Sequence, residues 1–151
     1  MSGLFDIGDA DGFFKSIKRR YDAYREGYVK RTEDLLYIIL GLNHLREWIA
    51  PGYCYKKTPN TKAERFYKTI FDTKEFKILN HLANGTKHAN AVKTSYSGGA
   101  PMDEWEVDID SLESFDMGQP TAYQVDGRNI EEVIKPIIQL YDDWFSGRYH
   151  P

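Results

Sequence analysis

The stretch TEDLLYIILGLNHLREWIA, from Thr32 to Ala50, constrains the fold more than any other part of the chain. Leu35, Ile38, Leu42, Leu45 and Ile49 recur at three- and four-residue steps, the stripe of an α-helix, and Pro51 and Gly52 stop it. The segment is apolar on nearly every face, so it must be surrounded rather than laid on a surface. Thr32 reads as its cap.

The neighbouring segments supply what would surround it. From Gly12 to Tyr28 the residues Phe14, Ile17, Tyr21, Tyr24 and Tyr28 form a second amphipathic stripe, with Lys15, Lys18, Arg19, Arg20 and Arg25 on the outer side. A loop rich in Pro, Asn and Lys precedes a short helix over Ala63 to Phe71, and Asp72 with Glu75 has the form of a capping box opening a fourth helix. Beyond Ala89 the runs NAVKTSYSGGAP, EWEVDID and TAYQVDG alternate polar and apolar residues between Gly-rich breaks, as short antiparallel strands do. Asn129 with Glu132 reads as a further capping box. It opens a last helix carrying Ile130, Val133, Ile134, Ile137, Tyr141, Trp144 and Phe145, with a bend expected at Pro136 inside it, and ended at Gly147. The expected fold is mainly α: a single domain over residues 1–151, four to five helices, with a small antiparallel β insertion at about 91–126 before the last helix.

Composition excludes several classes. Hydrophobic residues make up 41% of the chain and aromatics 15%, ample for a packed core. No apolar run approaches the ~20 residues that span a bilayer, and the opening MSGLFDIGDADG lacks the basic-then-apolar order of a secretory signal, so a cytoplasmic protein with no membrane partner is expected. The lone Cys54 rules out an internal disulfide and a cysteine-based zinc site. Charge is divided along the chain. Residues 1–93 hold 17 Lys and Arg against 11 Asp and Glu, whereas residues 94–151 hold 3 against 12. The acids Asp103, Glu104, Glu106, Asp108, Asp110, Glu113 and Asp116 are expected to lie against the basic first helix, within the chain or across a dimer interface.

One segment carries the candidate chemistry. In ILNHLANGTKHAN, Ile78 to Asn90, a helical wheel places Phe76, Leu79, Ala83 and Thr86 on one side and Lys77, His81, Asn84 and His88 on another, with Asn80 and Lys87 flanking. Gly85 inside the pattern signals close backbone approach, a helix end or room for a ligand, with a turn at Asn84-Gly85 as the competing explanation. On the central helix Tyr37, Gly41, His44 and Trp48 line up, with Asn43 and Arg46 nearby. Antiparallel packing of the two helices would join these groups in one polar pocket. There, His44 and His88 would be closer to each other than either is to His81, and Arg46 or Asn84 would supply hydrogen bonds. A solvent-facing polar stripe is the plainer alternative. No metal is expected, because His81 and His88 are seven residues apart, ~10 Å along a helix axis, too far to share one ion. Phosphate-loop, dinucleotide and serine-hydrolase motifs are absent, and no cofactor is implied.

LNHLREWI, Leu42 to Ile49, followed by LNHLANGTKHA, Leu79 to Ala89, resembles small bacterial helical-bundle proteins of HEPN-like type, over roughly residues 30 to 95. That resemblance implies RNA as a partner, a homodimer or partner protein, and metal-independent ribonucleases of toxin or antiphage systems as the wider family. In such a ribonuclease His88 would be the general acid/base, Lys87 the phosphate contact and Asn84 the orienting group, with His44, Arg46, Asn80, His81 and Lys77 as binding residues. The chain departs from the family's Arg-x4-6-His motif: no arginine precedes a histidine at that spacing. The alternative function is a noncatalytic protein-interaction or dimeric accessory module.

Overall fold

The computed structural model describes residues 6–88, 94–97, 122–125 and 127–151, with the side chains of 86–88, 94–97 and 122 outside that description. Its elements are α1 (Ala10–Glu26), α2 (Thr32–Ile49), α3 (Lys62–Phe71), α4 (Lys74–His88), β1 (Thr94–Ser97), β2 (Ala122–Val125), β3 (Arg128–Asn129) and α5 (Ile130–Phe145). The chain is thus mainly helical, with a small antiparallel sheet before its last helix. The expected strand over EWEVDID and the acids Asp103 to Asp116 lie outside the described residues.

Helix α2 is central, as its composition requires: α1, α3, α4 and α5 all pack against it. Leu35, Ile38, Leu42 and Leu45 are buried and meet Phe14, Ile17, Tyr21 and Tyr24 of α1 and Ile134, Ile137 and Tyr141 of α5 in one core. Gly41 lets α1 come close; a Cβ there would lie 2.9 Å from Ile17 Cδ1 and Cγ1. Tyr141 donates its hydroxyl hydrogen to the Leu42 carbonyl oxygen at 2.7 Å, tying α5 to the middle of α2. Burial holds that phenol far above the ordinary tyrosine pKa.

Several helix ends differ from the sequence reading. Helix α1 stops at Glu26 rather than Tyr28, because Gly27 is extended and the Lys30 ammonium donates to the carbonyls of Tyr24 and Arg25, each at 2.8 Å. Tyr28 is left 89% exposed. Thr32 lies inside α2 and its hydroxyl pairs with Tyr123 Oη, so Arg31 is the flanking residue and no side chain caps that end. The capping box expected at Asp72 and Glu75 is not formed. Asp72 closes α3, and Thr73 Oγ1 accepts from the Phe76 amide to begin α4. A true capping box stands one helix earlier, between Thr61 and Glu64. Asn129 caps α5 through the Glu131 amide, while Glu132 turns to Arg128 instead of returning to the cap. Pro136 lies within α5 on its exposed side.

Strands β1 and β2 pair antiparallel, Thr94 opposite Val125 and Ser97 opposite Ala122; β3 adds to β2 through a two-residue hairpin whose Gly127 has φ +80°. Tyr123 Oη donates to the Lys30 carbonyl as well as meeting Thr32, so the sheet sits beside the start of α2. Among the described residues no helix is long and apolar enough to cross a membrane.

Candidate functional site

Helix α4 runs unbroken through Asn84 and Gly85 to His88, so there is no turn at that dipeptide, and Gly85 is buried within the helix. Its inner face is Phe76, Leu79, Leu82 and Ala83; Lys77, His81 and Asn84 are exposed and Asn80 is half-buried. Lys87 and His88 form the end of the helix, with side chains outside the described residues. Phe76, at the start of α4, meets Arg46 near the end of α2, while α4 ends six residues before the strand whose partner lies beside Thr32. The two helices therefore run antiparallel.

The polar groups of α2 nevertheless do not gather on α4. Tyr37, Gly41 and Trp48 face α1: the Tyr37 hydroxyl meets Ser16 Oγ at 2.7 Å, Gly41 touches Ile17, and the Trp48 and Phe13 rings lie 4.7 Å apart. His44 is 54% exposed at its side chain and pairs with Glu47 on its own helix at 3.4 Å. Arg46, two residues on and so about 200° around the helix, points the other way. The single pocket holding His44 and Arg46 is not formed, because a helix cannot present residues two apart to the same neighbour.

Arg46 instead enters an aromatic cage. Its guanidinium carbon lies 4.9 Å from the ring centres of Tyr67 and Phe71 on α3 and 5.1 Å from that of Phe76 on α4, and only 8% of the residue is exposed. Its Nε donates to the Asn43 carbonyl oxygen at 3.0 Å. No carboxylate lies within ion-pair distance among the described residues. Burying an unpaired cation costs several kcal/mol, and three cation–π contacts of about 0.5–2 kcal/mol each, with one charged hydrogen bond, offset much of that. The cage extends outward: Tyr55 stacks on Phe71 at 4.3 Å, and Tyr53 meets Tyr67 edge-on at 5.1 Å. Burial raises the Tyr67 phenol while the Arg46 charge opposes that rise. Sequence reading singled out Arg46 but missed the cage, whose only local signal is the four-residue spacing of Tyr67 and Phe71.

Two groups of cations contrast with each other. On α1, Lys15 pairs with Asp11, Lys18 with Asp142, Arg20 with Asp34 and Arg25 with Asp22, at 2.8 to 3.9 Å. Four of the five basic residues expected to meet the acidic insertion are thus matched to acids elsewhere. From Lys56 to Lys77 the pattern is opposite. Lys56, Lys57, Lys62, Arg65, Lys68, Lys74 and Lys77 are all exposed and have no ion pair among the described residues. The acids between them are Glu64, Asp72 and Glu75, and Glu64 is held by the α3 cap. Arg65, Lys68, Thr69, Asp72 and Tyr149 line an open hollow of about 260 Å³ on this side.

Among the described residues no three His, Cys, Asp or Glu side chains are grouped to hold a metal ion. Cys54 is exposed. Comparison with family models, curated proteins and solved structures finds no match to this chain.

Proposed function

We propose that the protein binds RNA through the basic surface of the Lys56 to Lys77 segment, as the HEPN-like resemblance implies for the chain as a whole. The observation that carries this reading is the contrast between the two cation groups: four of the five on α1 are matched by acids, whereas seven between Lys56 and Lys77 have no ion pair among the described residues. Unmatched Lys and Arg side chains favour a polyanion through counterion release. Exposed Tyr55 beside them offers a ring on which a base can stack. Cleavage by His88, Lys87 and Asn84 is the narrower form of the same proposal; of these three, Asn84 lies on the exposed face of α4.

Fluorescence anisotropy with a labelled single-stranded RNA across a salt series tests it. Affinity is expected to fall with salt at a log–log slope of about −0.7 per phosphate contacted. Arg65→Gln with Lys68→Gln lowers that slope by ~1.4, whereas Lys15→Gln with Lys18→Gln leaves it unchanged. Absence of binding at low salt, or equal loss from the α1 pair, overturns the proposal. Incubation of RNA in excess chelator with wild type and His88→Ala decides whether binding is followed by metal-independent cleavage.

A further inference from the structure

We infer that Arg46 is a recessed receptor for a terminal phosphate, an assignment that rests on the RNA-binding reading for its physiological ligand but not for its chemistry. Three rings contributed by α3 and α4 surround the guanidinium at about 5 Å, and Nε is taken by the Asn43 carbonyl. The two terminal nitrogens have no partner among the described residues, yet they are not among the polar atoms sealed from solvent without one. The edge of the fork therefore still reaches solvent from a residue only 8% exposed. Among the described residues no acid answers its charge: Glu47, the next residue, is turned to His44 and is 55% exposed.

A second observation shows that the polar complement of this part of α2 is incomplete. Asn43, one turn earlier, is 7% exposed, and its side-chain Oδ1 is buried with no donor among the described residues. Buried polar atoms are ordinarily paired, so the unanswered cationic fork of Arg46 marks a place where an anion completes the bonding. Exposed Lys74 and Lys77 stand two residues before and one after Phe76 on α4 and add positive charge to that end of the helix.

The shape of the opening selects the ligand. With rings packed around the guanidinium, an acceptor must approach edge-on and offer two oxygens to the fork, the bidentate geometry that arginine makes with phosphate. A terminal phosphate offers unesterified oxygens at the tip of a narrow group. An internal phosphodiester carries a ribose on each side, and both would have to enter the recess together.

The test follows the Arg46 Nε–Hε resonance of ¹⁵N-labelled full-length protein during titration with inorganic phosphate at constant ionic strength, with acetate and chloride as controls. A saturable shift with phosphate alone is expected. Single-stranded RNA oligonucleotides of one sequence, with a 5′-phosphate, a 3′-phosphate or neither, are then compared by anisotropy. One phosphorylated end should bind at least about fivefold tighter than the hydroxyl form, and Arg46→Met should erase that difference. No phosphate response at Arg46, an equal response to acetate, or a preference that persists in Arg46→Met overturns the inference. If Arg46→Met fails to fold, the wild-type resonance decides alone. If no RNA binds, the surface reading fails, and the inorganic phosphate titration still decides this one.

Discussion

Gly41→Ala tests whether the close approach of α1 to α2 is a real constraint. The new methyl carbon would lie 2.9 Å from Ile17 Cγ1 and Cδ1 and 3.4 Å from Phe13 Cε1, against an optimal carbon–carbon separation of about 3.5–4.0 Å. Ile17 is fully buried, so it has no free volume into which to retreat. Overpacking of this kind costs about 1–3 kcal/mol, and Ala gains about 1 kcal/mol over Gly in a helix interior, leaving a net loss of about 1 kcal/mol. At this chain length the midpoint of thermal unfolding should fall by roughly 3 °C. Calorimetry and urea denaturation measure it, and Ile17→Val supplies the control. Alone, that change costs about 0.5–1.5 kcal/mol; combined with Gly41→Ala it should cost less than the sum, because it removes one of the two atoms that clash. A Gly41→Ala protein more stable than wild type, or strict additivity with Ile17→Val, would refute the contact argument.

Tyr141→Phe removes the buried hydroxyl bonded to the Leu42 carbonyl and should cost about 1–2 kcal/mol in urea denaturation without changing the helical spectrum. Tyr24→Phe should be neutral or slightly stabilising, since the Tyr24 hydroxyl is buried with no partner among the described residues and its removal leaves nothing unpaired. Thr61→Ala should cost ~1 kcal/mol by deleting the side-chain acceptor that starts α3, visible as a lower denaturation midpoint. Burial raises the phenols of Tyr24 and Tyr141 above the ordinary value of 10.0, so the native state holds these protons longer than the unfolded chain does. Their contribution to stability is therefore complete below pH 10 and is lost as pH rises beyond it, a decline that Tyr141→Phe should blunt; a flat urea midpoint between pH 9 and 11 would count against it.

The middle of each helix was legible because burial periodicity is a local property. The five apolar residues of α2 and the stripe of α5 name their inner faces without reference to any neighbour. Ends were less so, since several Thr, Asp and Asn residues compete for each cap. Thr73 prevails over Asp72 because Asp72 is needed to finish α3. What no wheel discloses is which neighbour a given face meets. His44 and Arg46 are close in sequence, but α1 occupies one side of α2 and the α3–α4 corner the other. Charge pairing was hidden for the same reason: Lys18 finds Asp142 from 124 positions away, and no running tally of sign along the chain anticipates that.

The Tyr141 hydroxyl has a kinetic consequence. It donates to the Leu42 carbonyl, the acceptor that the Arg46 amide uses in the helix, and that amide also lies against the phenol oxygen. Arg46 is only three residues from the last residue of α2, where helices ordinarily fray and exchange their amide hydrogens quickly. Freeing the Arg46 amide, however, requires a fully buried tyrosine to leave its place, which separates α5 from α2 and opens the core. Hydrogen exchange at this amide should therefore be among the slowest in the chain, governed by whole-fold opening, and Tyr141→Phe should accelerate it more than the loss in global stability alone predicts.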